Sequence, residues 1–256
     1  MNRRELTLNS HAVRYYDAGS GPPVLLVHGA GATGRLWHRQ MGPLSQKFRV
    51  VAPDLPGFGG TDAFPDIKDV RGYGRFLADF LAALGLDPRQ GYAGRVNVVG
   101  SSMGGWAAAW LALDRPDMLG RLVLVSPAGL YSEDEPPMPV ERVVKEVEAF
   151  YAKSAECEKF ACVKPSEEME KGVAAIKAMD AAGGFKPDLT GRLGGIKAET
   201  LVAWGSEDRV VPVSYARAFA EGIPGARLVV MEGAGHLPYV ERADEFNGIV
   251  LRFLAG

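Results

Sequence analysis

The sequence predicts an α/β fold in which a mostly parallel central sheet carries helices on both faces and a helical lid is inserted between two strands. Two observations support this prediction. Short runs of β-branched residues alternate along the chain with segments of helical apolar spacing, as in a parallel sheet whose strands are joined by helices. The alternation then stops from about residue 129 to residue 195, where the sequence contains no convincing strand.

The predicted strands are short apolar runs bounded by turn-forming residues. They are Ala12–Tyr16, Val24–Val27, Arg49–Pro53, Arg95–Val99, Leu122–Val125, Thr200–Trp204 and Arg227–Met231. Between the third and fourth strands, apolar residues from Val70 to Leu84 recur at helical spacings and form one stripe. This stripe predicts a helix that packs against the sheet and has no chemical role.

The segment 129–195 contains charged, amphipathic stretches that predict helices around Val140–Phe160 and Glu167–Met179. We expect a core domain of residues 1–128 and 196–256 and a helical cap of residues 129–195. Over the carboxyl ends of the strands, such a cap would cover a ligand site. Several aromatic residues could line an acyl pocket there, but helical spacing favours packing. They are Tyr131, Phe150, Tyr151 and Phe160 in the cap, and Trp37 in the core.

The composition indicates a globular chain that acts on a small molecule. Its 256 residues can bury a sizeable core, and 47% of them are hydrophobic and 23% charged. A formal net charge of −2, with both signs interspersed, gives no electrostatic basis for binding nucleic acid or an anionic membrane. We therefore expect a small neutral or weakly charged substrate. The sequence leaves both a monomer and a homodimer open.

The location expected from the sequence is cytoplasmic. The first residues lack the apolar stretch of a signal peptide, and no segment approaches the length of a membrane span. The two cysteines, Cys157 and Cys162, point to different sides of a predicted helix, which disfavours a mutual disulfide. We expect two free thiols.

A candidate nucleophile lies where a predicted strand turns into a predicted helix. The segment Gly100–Gly104 has the pattern G-x-S-x-G, which presents a serine hydroxyl at the end of a sheet. Its serine is Ser102. The two glycines suit a strained turn with a helix packed close to its strand. Met103 then offers a backbone N–H at a helix N-terminus, where partial positive charge suits an oxyanion.

A serine nucleophile needs a base and a carboxylate that orients the base. Of the four histidines, His236 follows the last predicted strand in a glycine-rich loop, which is where such a base belongs. Asp208 follows the preceding strand at the same sheet edge. Its rivals are the neighbouring Glu207 and Asp134. We favour Asp208 because this architecture orders its residues Ser, Asp, His along the chain.

A second donor to an oxyanion should come from the loop after an early central strand. The small residues that follow Val24–Val27 allow backbone N–H groups to approach a substrate closely. Ala30 is the first choice and Gly31 the second. His28, at the start of this loop, is expected to hold the loop by hydrogen bonds rather than act as a base.

The motifs, taken in order, resemble those of the α/β-hydrolase superfamily, in particular its lidded serine hydrolases of the carboxylesterase and carbon–carbon-bond hydrolase type. They are His28–Gly31, Asp54–Gly59, Gly100–Gly105, Trp204–Asp208 with Val211-Pro212, and Gly235-His236. The resemblance implies an α/β-hydrolase fold, with Ser102 as nucleophile, His236 as base and Asp208 as the acid. It implies an oxyanion hole made by Ala30 and Met103. Asp54 matches a position that shapes a turn.

Three departures narrow the branch within this superfamily. Ser101 stands where many relatives carry histidine, which alters local hydrogen bonding and leaves the mechanism unchanged. Ser102 argues against the dehalogenase and epoxide-hydrolase branches, which use an aspartate nucleophile. Leu237 follows the histidine as in many esterases, whereas carbon–carbon-bond hydrolases often carry tryptophan there.

The resemblance implies a carboxylesterase that works through an acyl-enzyme and needs neither metal nor organic cofactor. A carbon–carbon-bond hydrolase acting on dienoic acids would use the same three residues. A non-catalytic ligand receptor on the same scaffold is a third hypothesis, because function does not follow from fold.

Overall fold

The structure is a computed structural model and describes residues 2–136, 138–145, 167–186 and 188–256. Its sheet has eight strands in the order β1-β2-β4-β3-β5-β6-β7-β8. The strands are β1 Asn2–Leu8, β2 His11–Ala18, β3 Pro23–Val27, β4 Arg49–Pro53, β5 Val96–Ser101, β6 Leu119–Val125, β7 Glu199–Gly205 and β8 Arg227–Met231. β2 pairs antiparallel with β1 and β4, and every other pairing is parallel. The prediction of a mostly parallel sheet is confirmed.

Helices cover both faces of the sheet, as predicted. They are α1 His38–Ser45, α2 Val70–Ala83, α3 Met103–Asp114, α4 Glu167–Ala181, α5 Ser214–Gly222, α6 Pro238–Glu241 and α7 Ala243–Ala255, with 3-10 turns at Gly34–Trp37, Pro88–Gln90 and Leu193–Gly195. The buried side chains form two apolar clusters. One contains the apolar faces of α2, α3 and α5, and the other those of α1 and α7. Because the sheet is covered on both sides, its central strands are mostly buried, and β3 is buried at every residue.

Strand β1 was not predicted from the sequence. Its residues are mostly exposed, so they lack the buried apolar run by which the other strands were found. It pairs with β2 through a hairpin whose turn residues Asn9 and Ser10 have φ angles of 49° and 67°. These positive values fit the two-residue turn that matches strand twist in hairpins.

Between β6 and β7 the described residues form helices and loops rather than sheet. Residues 140–145 are helical, and α4 occupies the second stretch that was predicted as helix. No strand occurs among the described residues of this stretch. The rest of the first predicted helix lies outside the described residues, together with both cysteines and three of the aromatic residues considered above: Cys157, Cys162, Phe150, Tyr151 and Phe160.

In the part of the chain that the structure describes, no helix has both the length and the apolar character needed to cross a bilayer. α3 is the most buried helix near the site, since every residue from Met103 to Ala112 is buried. It begins directly after β5, and its packing against α2 and the sheet fixes the position of the turn between them.

Candidate active site

Ser102 occupies a strained turn between β5 and α3. Its φ and ψ angles are 54° and −122°, a region that residues other than glycine seldom adopt. Three backbone hydrogen bonds hold this conformation: its N–H donates to Val125 O at 2.9 Å, and its carbonyl accepts from Trp106 N–H at 3.0 Å and from Ala128 N–H at 3.3 Å. The turn leaves the side chain partly exposed at the carboxyl end of the sheet.

The glycines around Ser102 are required by close backbone contacts. A Cβ on Gly104 would clash with the carbonyl oxygens of Val27 and His28, so α3 lies directly against the end of β3. A Cβ on Gly100 would be 2.5 Å from the carbonyl oxygen of Gly104. The expectation that this turn has no room for a Cβ at either glycine is confirmed.

The structure brings His236 and Asp208 into contact. Nδ1 of His236 lies 2.9 Å from Oδ2 of Asp208, whose side chain is fully buried, while the imidazole is 14% exposed. The other carboxylate oxygen accepts from the N–H groups of Val210 at 2.8 Å and Val211 at 3.0 Å. Because a carboxylate only accepts, Nδ1 donates the hydrogen bond, and Nε2 of the neutral ring is an acceptor.

Hydrogen bonds between the loops after β7 and β8 place these two side chains together. Glu207 N–H donates to Ala234 O at 2.8 Å, and Gly233 N–H donates to Ser206 Oγ at 2.8 Å. A Cβ on Gly205 would clash with carbonyl oxygens of the loop after β8. The two loops are therefore held side by side by backbone contacts that depend on the absence of a side chain.

Glu241 supports the histidine loop and was not found from the sequence. Its carboxylate accepts from Gly235 N–H at 2.8 Å and from Leu237 N–H at 3.1 Å, the residues on either side of His236. The signal for this role of Glu241 is weak. Pro238 begins a four-residue helix, and Glu241 is an acidic residue in the first turn of that helix.

The rival carboxylates occupy other positions. Glu207 is exposed and uses its backbone, not its side chain, to contact the loop after β8. Asp134 is exposed and lines a separate cavity with Glu135 and Ser214. Asp208 is therefore the carboxylate that the structure pairs with His236.

Two cavities meet at Ser102. The smaller has a volume of about 210 Å³ and contains both Ser102 and His236 in its wall, together with Glu207, Arg209 and Glu241. The larger has a volume of about 340 Å³ and an apolar wall in which Asp180 is the one charged residue among the described lining residues. Residues of the core and of segment 129–195 both contribute to that wall. They include Met103, Trp106, Val211, Met138, Val143, Ile176 and Phe185.

The predicted oxyanion donors lie beside Ser102. Ala30 lines both cavities, and Met103 lines the larger one. Met103 is the first residue of α3, so its N–H has no carbonyl partner within the helix. Gly31, the second choice, is buried and has a φ of 74°.

His28 is a structural residue, as predicted. It is fully buried, its Nδ1 lies 2.8 Å from Gly29 O, and its Nε2 accepts from Leu55 N–H at 2.8 Å. Burial lowers the pKa of His28 to about 4, although its hydrogen bond to Gly29 acts in the opposite direction. A neutral ring that donates at one nitrogen and accepts at the other links the loop after β3 to the loop after β4.

Three further predictions from the sequence have different outcomes. Asp54 shapes a turn as expected, since it accepts from Gly34 N–H at 2.8 Å and Gly60 N–H at 2.9 Å. Trp37 packs as expected, fully buried and stacked on Tyr239 with ring centroids 4.1 Å apart. Tyr131 was expected to pack, and this was wrong: it is 53% exposed and lines the larger cavity.

Comparisons with known proteins identify the family of the chain. A model described as "Alpha/beta hydrolase family" matches residues 24–249. The chain is 32% identical to a 2-hydroxy-6-oxo-6-phenylhexa-2,4-dienoate hydrolase from Burkholderia cepacia, over 98% of this chain and 94% of that protein.

Solved structures with similar folds include both esterases and other serine hydrolases. A thermophilic esterase from Thermogutta terrifontis is 27% identical with a TM-score of 0.77, covering 100% of this chain and 98% of that chain. A serine hydrolase involved in carbazole degradation is 27% identical with a TM-score of 0.80, covering 99% and 98%.

Proposed function

The chain belongs to the alpha/beta hydrolase family, and from that premise we propose that it is a serine hydrolase that cleaves carboxylic esters. The observation that carries the proposal is the pairing of buried Asp208 with His236, which lines a cavity together with Ser102. A hydroxyl on a strained turn, an imidazole and a buried carboxylate are the parts that acyl transfer by serine requires.

In the proposed reaction, Ser102 Oγ attacks the ester carbonyl while His236 Nε2 takes its proton. The N–H groups of Met103 and Ala30 stabilise the oxyanion of the tetrahedral intermediate. His236 then gives the proton to the departing alcohol, leaving an acyl-enzyme on Ser102. Water, deprotonated by the same nitrogen, attacks this acyl group and releases the acid with the free serine.

The two cavities suggest how the substrate lies. The leaving oxygen must be within reach of His236, so the alcohol part belongs in the smaller cavity, which His236 lines. The acyl part then enters the larger, apolar cavity beside Met103 and Trp106. We infer that residues 129–195 act as a cap on a core of residues 1–128 and 196–256, since both parts contribute to the cavity wall.

Carbon–carbon bond hydrolysis is the second candidate, because the Burkholderia cepacia relative is named as a dienoate hydrolase. A dienoic acid brings a carboxylate, which needs a cation or N–H donors. Among the described residues, the larger cavity offers the carboxylate of Asp180 instead, and the wall of the smaller contains one cation, Arg209, and two carboxylates, Glu207 and Glu241. Leu237 also stands where dienoate hydrolases often carry tryptophan. These features favour an ester.

The experiment that separates the candidates compares p-nitrophenyl esters from acetate to palmitate with a 2-hydroxy-6-oxo-dienoic acid. We expect ester turnover by the wild-type enzyme and its loss in Ser102→Ala. Turnover of the dienoic acid with negligible ester cleavage would establish the second candidate instead. Absence of both activities in the folded protein would support a ligand receptor.

A further inference from the structure

We propose that Asp188 is a positioning residue that fixes the wall of the acyl cavity by holding the indole of Trp106. Asp188 lies where segment 129–195 returns to the core, and Trp106 lies on α3, one turn after Ser102. This inference rests on the proposed ester hydrolysis, because it concerns how the acyl part of the substrate is bound.

One carboxylate oxygen of Asp188 receives two indole hydrogen bonds. Trp106 Nε1–H donates to Asp188 Oδ1 at 2.8 Å, and Trp110 Nε1–H donates to the same atom at 3.0 Å. Both tryptophans are buried, at 3% and 4% exposure. A buried indole N–H needs an acceptor, and a charged acceptor makes the stronger bond. Asp188 therefore sets the orientation of both rings.

The backbone on either side of the insertion closes on the same indole. Leu189 N–H donates to Gly129 O at 3.0 Å, so the chain leaves and re-enters the core at one point. Gly129 has a φ of 109°, and a Cβ there would lie 2.7 Å from the Trp106 ring. Leu189 is fully buried next to Asp188. The ring is thus enclosed between Gly129 and Asp188.

Two arginines surround the second indole and offset the charge of Asp188. The guanidinium carbons of Arg71 and Arg192 lie 4.6 Å and 5.6 Å from the ring centroid of Trp110. Arg192 Nε also donates to the backbone carbonyl of Asp188 at 2.9 Å. These contacts hold Asp188 and Trp110 to each other, so the position of the carboxylate does not depend on Trp106 alone.

Trp106 connects this cluster to the reaction. Its side chain lines the larger cavity, and its backbone N–H donates to the carbonyl of Ser102. If the Asp188 carboxylate is removed, the indole loses its acceptor and the cavity wall beside Ser102 shifts. Long acyl groups fill this cavity and short ones occupy little of it, so the effect must grow with acyl length.

The test measures kcat and KM of wild type, Asp188→Ala and Asp188→Asn on p-nitrophenyl acetate, butyrate and octanoate. We expect Asp188→Ala to raise KM for octanoate by about tenfold, as for a lost apolar pocket contact. Its kcat and KM for acetate should stay within about twofold of wild type, because acetyl makes little use of the wall. Asp188→Asn keeps an acceptor oxygen and should restore most of the octanoate affinity.

A second measurement covers an Asp188→Ala protein that folds poorly. Trp106→Phe removes the donor but keeps an aromatic ring, and should raise KM for octanoate and not for acetate. In the Trp106→Phe protein, the second change Asp188→Asn should cause no further rise in KM for octanoate. If Asp188→Ala folds, its tryptophan fluorescence should shift, whereas that of Asp66→Ala, a matched change at an exposed residue, should not.

The outcomes separate the inference from the proposed function. An acyl-length profile of Asp188→Ala equal to that of an active wild type would overturn the inference and leave ester hydrolysis standing. The same holds if Asp188→Asn is as impaired as the alanine variant, or if acetate and octanoate are affected equally. Failure of the wild type to cleave any ester would overturn the proposed function itself.

Discussion

At the residue scale, the chemistry depends on the direction in which one imidazole ring points. The buried carboxylate of Asp208 is held by two backbone N–H groups through one oxygen and contacts His236 Nδ1 through the other. Nε2 is the ring nitrogen that does not contact Asp208, and His236 lines the cavity that contains Ser102. Losing any of these hydrogen bonds would change the tautomer or the orientation of the His236 ring, while the reacting groups would stay the same.

Asp208→Asn should lower kcat by about 10⁴-fold, because the amide favours the wrong tautomer of the histidine. Steady-state ester hydrolysis measures this, and circular dichroism checks the fold. Glu207→Gln is the matched control: its side chain is exposed and lines the smaller cavity, so the change can alter KM, but kcat should fall far less than in Asp208→Asn. A larger loss in the control than in Asp208→Asn would mean that the wrong carboxylate has been identified.

Glu241→Ala should lower kcat by about 10-fold to 100-fold with little change in KM, because a small displacement of a catalytic group has this cost. The variant removes the acceptor that brackets His236 through Gly235 and Leu237. Glu245→Ala, on α7 and paired only with nearby Arg242, is the control. Equal kinetics for the two variants would show that the Glu241 contacts do not position the ring.

The sequence was sufficient to predict Ser102, Asp208 and His236 as candidates, because each follows an apolar strand that ends at the same sheet edge. Glu241 and Asp188 could not be predicted in the same way. Their partners, the N–H groups around His236 and the two indoles, are set by tertiary contacts that leave no spacing pattern in the chain.

At the element scale, the position of α3 against β3 and β5 places the serine turn. α3 is rich in glycine and alanine, and a Cβ on Gly104 would collide with the end of β3. α2 packs on its other side with similar closeness, since a Cβ on Gly74 would lie 2.9 Å from Trp110 Cβ. Any shift of α3 towards the sheet or towards α2 would therefore also displace Ser102.

Gly104→Ala should destabilise the protein by about 1 to 3 kcal/mol or more, because the added methyl group meets backbone atoms that cannot yield easily. Gly42→Ala in α1 is the contrasting control, since no atom beyond its two chain neighbours lies within 4 Å of its added Cβ. Because Pro43 follows and disfavours a Cβ on the preceding helical residue, alanine there should change stability by less than about 1 kcal/mol. Equal losses of thermal stability in the two variants would contradict this account of α3.

Elements buried on both faces were predicted well from sequence, because each central strand is an apolar run with turn residues at its ends. β1 was missed because it lies at the sheet edge, where burial does not select apolar residues. Its hairpin turn at Asn9-Ser10 was the remaining signal. Tertiary contacts decide where the elements near the site end. The sequence predicted a strand that ends at Val99, whereas β5 continues through Ser101 into the serine turn.

At the scale of the whole molecule, His28 links the central sheet to the loops on which the site is built. Its ring is neutral because it donates to Gly29 and accepts from Leu55. Burial holds its pKa at about 4, against an ordinary value of 6.5. In the unfolded chain the ring is exposed to water and regains the ordinary value. The folded state therefore binds fewer protons between these two pH values.

The free energy of unfolding should therefore fall as the pH drops from 6.5 towards 4, and His28 should account for about 3 kcal/mol of this fall. Above pH 6.5 its contribution is fully present. Urea unfolding of wild type and His28→Gln at several pH values measures the difference. That difference should narrow as the pH falls, and a constant difference from pH 7 to 4.5 would contradict the buried neutral ring.

The arrangement of the two cavities could not be predicted from the sequence. It depends on how segment 129–195 lies over the core, and the aromatic residue Tyr131 illustrates the difficulty, since it lines the larger cavity instead of packing. The amphipathic pattern predicted helices there, and α4 confirms one of them. Which face of a helix in this segment lines a cavity is decided by tertiary packing alone.

The most direct test of the account is to map the residue that a fluorophosphonate probe modifies. Peptide mass spectrometry of the labelled wild-type protein should place the adduct on Ser102, with labelling lost in Ser102→Ala and strongly slowed in Asp208→Asn. An adduct on a different residue, or undiminished labelling of Ser102→Ala, would contradict the assignment of the nucleophile on which the proposed mechanism depends.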